Sequence, residues 1–84
     1  MFLSPNGRAI LKELRHGPLN PYELASELDL APFTVRGELY ALRRIRLVRE
    51  RTSSSEHTWE LTSRGQELAW TDLQLEMEPK AEWR

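Results

Sequence analysis

Asn20-Pro21-Tyr22-Glu23-Leu24-Ala25-Ser26-Glu27-Leu28-Asp29-Leu30-Ala31-Pro32-Phe33-Thr34-Val35 decides how this chain folds. Asn20 is a good helix N-cap, and Pro21 suits the first helical position, where its missing N–H costs nothing. Glu23 stands three residues after Asn20, the spacing of a capping box. Leu24, Ala25 and Leu28 then supply a short apolar face at helical spacing. Asp29-Leu30-Ala31 reads as a turn, and Pro32 opens another helix with Val35, Leu39 and Leu42 on its inner face, spanning 32–45. Two short helices are thus joined by about three residues.

Working outward, Ser4-Pro5 is a second cap-and-proline start. Ala9, Ile10 and Leu14, widened by Leu11, form its apolar stripe until His16-Gly17-Pro18 stops it. Leu19 stands alone between turn residues. Beyond Ile45 and Leu47 the period changes: Val48 to Arg51 and Thr58 to Leu61 read as two short strands, joined by the polar linker Thr52 to His57. A last helix starts in Thr62 to Glu67, with Leu68, Ala69, Leu73 and Met77 apolar, and Pro79 ends it. The expected fold is mainly α with a small antiparallel β-hairpin: a helix-turn-helix with a wing. One domain over 1–79 is expected, with a frayed tail over 80–84.

The 84 residues include no cysteine, which excludes disulfides, zinc–thiolate sites and thiol catalysis. No apolar run approaches the roughly 20 residues that span a bilayer, and no signal-peptide core follows Met1-Phe2-Leu3. The expected location is cytoplasmic. Net charge is −1, but its distribution is uneven. Arg36, Arg43, Arg44, Arg46, Arg49 and Arg51 are opposed within their window only by Glu38 and Glu50, a surplus of four. From Gly65 to Arg84 the balance is −3. A basic stretch on an otherwise balanced domain is the footprint of a phosphate-binding face.

The residues then resemble a family. Gly17-Pro18-Leu19-Asn20-Pro21-Tyr22-Glu23-Leu24-Ala25 is similar to the opening of the helix-turn-helix in MarR-like and ArsR-like winged-helix regulators. Leu28 to Arg36 resembles their turn and recognition-helix start, and Leu39-Tyr40-Ala41-Leu42 its continuation. Leu47-Val48 is similar to the lead into the wing, with Arg46 where a glycine is usual, and Trp59-Glu60-Leu61-Thr62-Ser63-Arg64-Gly65 to the way out of it. The resemblance covers about Ala9 to Leu68. Three departures stand out: Ala31 replaces the usual serine cap, and Gly37 and Glu38 sit where arginine or histidine is frequent. Gly37 weakens the helix by roughly 1 kcal/mol relative to alanine. It marks either a close approach of backbone to DNA or a helix that no longer reads DNA.

With Val35, Leu39 and Leu42 inward, the outer face carries Phe33, Arg36, Tyr40, Arg43 and Arg44. Arg36, Tyr40 and Arg43 fall on one stripe, which in a helix-turn-helix enters the major groove. Arg36 suits guanine O6 and N7, Thr34 a phosphate or base edge, and Phe33 and Tyr40 thymine methyls or sugars. On the wing, 48–61, Arg49 and Arg51 flank the tip and suit phosphates or a narrow minor groove, and Ser53 and Ser54 add donors. The expected DNA-binding set is therefore Phe33, Thr34, Arg36, Gly37, Tyr40, Arg43, Arg44, Arg49, Arg51, Ser53 and Ser54.

His16 and His57 do not cluster, so no metal or cofactor is expected, and no catalytic arrangement stands out. Trp70, Leu73 and Met77 share one face of the last helix, more apolar surface than a small domain hides, and point to a homodimer interface. The leading expectation is a sequence-specific regulator of transcription, a repressor, on double-stranded DNA. The alternatives are a winged-helix module for protein contacts and an accessory DNA-binding factor of phage or plasmid replication or recombination.

Overall fold

The computed structural model describes residues 3–53 and 56–71. Ser54, Leu73, Met77, the end of the last helix at Pro79 and the 80–84 tail lie outside the described residues. Helix α1 spans Pro5–Leu14, α2 Pro21–Leu28 and α3 Pro32–Arg44; strands β1 (Val48–Thr52) and β2 (His57–Leu61) follow, then a helix over 63–71, α4. The expected order of elements is present, and with it the winged-helix fold.

Local chemistry sets the helix boundaries. The Ser4 hydroxyl accepts the Gly7 amide at 3.0 Å at the start of α1. At α2, Asn20 Oδ1 accepts from the Glu23 amide (2.7 Å) while Glu23 Oε1 accepts from the Asn20 amide (2.9 Å), completing the capping box. Helix α2 stops because Asp29 turns left-handed at φ 57°. The Leu30 amide then reaches back to the Ala25 carbonyl at 3.0 Å. Asp tolerates this backbone better than most residues. Ala31 caps α3 with no side-chain hydrogen bond. Helix α3 ends in the same way as α2: Arg46 adopts φ 64°, and the Leu47 amide bonds the Leu42 carbonyl at 3.0 Å. Arg46 thus occupies the left-handed position for which glycine is suited. The helix stops one residue short of the expected 45, since Ile45 is already its C-cap.

The hairpin pairs Val48 with Leu61, Glu50 with Trp59 and Thr52 with His57. Strand alternation turns Val48, Trp59 and Leu61 into the core. The isolated Leu19 forms a third, one-residue strand. Its amide and carbonyl both bond Trp59, at 3.1 and 2.8 Å. Trp59, only 2% exposed, joins Ile10, Leu11, Leu24, Val35, Leu39, Leu47 and Val48 at the centre of the core. Burial of each aliphatic side chain there contributes roughly 1.5–3 kcal/mol.

Helix α4 is anchored at its first turn. The Thr62 hydroxyl donates to the Arg46 carbonyl (2.7 Å) and accepts from the Gly65 amide (3.0 Å), and the Thr62 amide bonds the Leu47 carbonyl at 3.1 Å. Gly65 presses on that same carbonyl: a Cβ there would stand 1.9 Å from the Leu47 oxygen. Ala69 is buried against the core and Leu68 packs at its edge.

Candidate nucleic-acid interface

Helix α3 buries Val35, Leu39 and Leu42 and exposes Phe33, Arg36, Gly37, Tyr40, Arg43 and Arg44. Thr34 is half-buried at the edge of this face. Phe33, 70% exposed, sits at the start of the helix. Arg36 is held from the neighbouring helix: its Nη2 donates to the Tyr22 hydroxyl at 3.1 Å, and its guanidinium lies 5.6 Å from the centre of the Tyr22 ring. Tyr22 is itself 61% exposed. It was not among the residues expected from sequence, because its role depends on two helices meeting. Its place between Pro21 and Glu23, on the outer side of a capped first turn, was the available signal.

Tyr40 and Arg43 lean toward the hairpin. Tyr40 meets Trp59 edge-to-face at 5.7 Å. The Arg43 guanidinium lies 5.0 Å from the Tyr40 ring centre and ion-pairs with Glu50 on β1. Glu50 also faces His57, with Oε2 2.7 Å from Nε2. These side chains make the joint between α3 and the wing.

Glu38 leaves the outer face. Its carboxylate accepts from the Ser4 hydroxyl at 2.9 Å and is half-buried beside the N-terminus of α1, where a negative charge is favoured. Gly37 lies in the open, with nothing within 4 Å of a Cβ placed on it.

On the outer side of the wing, Arg49 (2.6 Å) and Arg51 (3.3 Å) both pair with Glu60. The hydrogen bond from Arg49 holds the Glu60 carboxyl below the usual carboxylate range; the charges of Arg49 and Arg51 add to this, against a desolvation that raises it. Glu60 lies outside the 36–51 window used to count charge, yet the antiparallel register sets it opposite Arg49. The hairpin arginines are therefore partly neutralised, which a linear count misses. Ser53 is exposed, and its amide bonds the Glu56 carbonyl at 2.9 Å.

Trp70 is 50% exposed, with the Arg15 guanidinium 3.9 Å over its ring. Part of its surface is thus covered by its own α1. Among the described residues, no group of three His, Cys, Asp or Glu side chains suits a metal, and no helix is long and apolar enough to cross a membrane.

No family model and no curated protein matches the chain. Solved structures do. A zinc-responsive MarR family member, ZitR of Lactococcus lactis, superposes with a TM-score of 0.84 at 17% identity, over 99% of this chain and 60% of that one. The adhesin competence repressor AdcR of Streptococcus pyogenes gives 0.85 at 18%, over 94% and 60%. A MarR family transcription regulator gives 0.88 at 24%, over 94% and 55%. The chain spans less than two thirds of the length of these structures, and the shared property is the winged-helix fold.

Proposed function

We propose that this chain is a sequence-specific regulator of transcription that binds double-stranded DNA, with α3 in the major groove and the wing on the backbone or in the minor groove. One observation carries the reading. The outer face of α3 presents Phe33, a tethered Arg36 and Tyr40, and its one acid, Glu38, is turned away to Ser4. A guanidinium restrained by Tyr22 loses less freedom when it engages a guanine edge. Action as a repressor is supported by the fold shared with the adhesin competence repressor, and a homodimer by the exposed half of Trp70. The pairing of Arg43, Arg49 and Arg51 with carboxylates favours the second reading, a winged helix for protein contacts, because it lowers the positive field.

Titration of labelled duplex across salt concentrations separates the two. With about four phosphate contacts per protomer of a dimer, log affinity falls against log salt with a slope near −7, from roughly −0.9 per contact. Arg36→Ala costs about 1–3 kcal/mol on the selected site and relaxes specificity. Absence of binding to any duplex pool at low salt rejects the proposal. Sedimentation at micromolar concentration tests the dimer, whose operator is an inverted repeat with half-site centres about 10 base pairs apart or a multiple of that.

A further inference from the structure

A groove lies between the end of α3, the start of β1 and the first turn of α4. It has a volume of about 920 Å³ and is lined by Arg43, Arg44, Arg46, Arg49 and Arg64, together with Thr62, Ser63 and Gln66. No acidic side chain lines it. Arg43 and Arg49 are engaged by Glu50 and Glu60. Arg44, Arg46 and Arg64 make no ion pair among the described residues.

The backbone fixes this concentration of charge. Arg46 is placed by the left-handed end of α3, and its carbonyl is tied to the Thr62 hydroxyl. Thr62 is the cap of α4, so the first turn of that helix opens beside Arg46. Thr62 satisfies the Gly65 amide. The amides of Ser63 and Arg64, at the first two helical positions, have no acceptor within the helix. The positive end of the α4 dipole thus adds to the guanidinium groups.

We infer that this groove is a second phosphate-binding track, taking the phosphodiester backbone of duplex DNA beside the stretch held by α3. The inference rests on the reading of α3 as a DNA-binding helix. Two features favour a polymer over a lone phosphate ion. The groove is open, and its cations come from α3, the turn after it, β1 and the first turn of α4. It also meets the outer face of α3 through Arg43 and Arg44. A strand bearing one charge per 3.4 Å of axis, roughly, matches such a spread.

The test is the double variant Arg46→Gly with Arg64→Gln. Glycine accepts the backbone at 46, and residue 64 is exposed, so the fold survives; a thermal melt checks it. Anisotropy titrations with random and selected duplexes between about 50 and 200 mM salt supply the readout. The expected result is equal weakening on every sequence, with a salt slope shallower by about 1.8 per protomer. Arg46→Lys with Arg64→Lys restores the slope. A double variant that keeps the wild-type slope overturns the inference while the reading of α3 stands. Failure of the wild-type protein to bind any duplex overturns both. Inorganic phosphate, followed by the Arg64 amide shift, is the second arm. Saturation by phosphate together with an unchanged duplex slope in the double variant assigns the groove to the free ion and refutes the DNA track.

Discussion

Gly37→Ala separates the stability of α3 from its use. Gly37 is mid-helix, its φ is not positive, and a methyl group there meets nothing within 4 Å. Alanine therefore brings no clash in the free protein. It does bring the helix propensity that glycine lacks, about 0.8–1.0 kcal/mol. Allowing for context, the expected gain is about 0.5–1 kcal/mol, a rise in Tm of roughly 2–8 °C for a domain of this size. On DNA the same methyl group works the other way. If a groove wall or base edge approaches the helix at residue 37, the added carbon holds it off. A loss of about 1 kcal/mol then weakens binding roughly fivefold. Thermal melts followed by circular dichroism and anisotropy on one selected duplex read the two effects on the same sample. A variant that melts below wild type refutes the open-surface argument. One that gains stability and binds DNA as before refutes the close approach.

Three further outcomes follow from local geometry. Ala31→Ser supplies the missing cap of α3 and raises unfolding free energy in urea by about 1 kcal/mol. Gly65→Ala drives a Cβ into the Leu47 carbonyl and costs about 2 kcal/mol or more in the same assay, because both partners are backbone-fixed. Glu60→Gln removes a carboxylate whose pKa is lowered in the fold. Its stabilising effect is present above the unfolded value, near 4.3, and is lost as pH falls through the lower folded value. The gap in stability between wild type and variant is therefore flat from about pH 5 to 7 and narrows as pH falls through the lowered folded value. The same variant binds duplex about twofold more tightly, since one charge roughly 10 Å from a phosphate is worth about 0.4 kcal/mol in water.

What was legible from sequence was short-range. Asn20 with Glu23, Ser4 with Pro5 and the alternation in Val48 to Arg51 act within a few residues, so their chemistry can be read in line. The Leu19 bridge to Trp59 was not legible, because a lone extended residue acquires meaning only beside a strand forty positions later. Tyr22 escaped for the same reason: its hydroxyl meets Arg36 only once the two helices cross. The engagement of Arg49 and Arg51 was hidden because Glu60 enters through strand register. At Arg46 the sequence shows only that a glycine is usual there in similar regulators; the left-handed backbone that explains it comes from the structure. Leu73 and Met77 lie outside the described residues, so the dimer face rests on Trp70.

The backbone of Leu47 joins three elements. The Leu47 amide closes α3, β1 begins at the next residue, and the carbonyl accepts the Thr62 amide at the cap of α4 and lies against Gly65 with no room for a methyl group. Such a junction behaves as a rigid elbow. A tilt of the first turn of α4 has to shift the end of α3 or break the Thr62 bonds to Arg46 and Leu47. Any force that reorients this first turn therefore acts on the end of α3 and the base of the wing together.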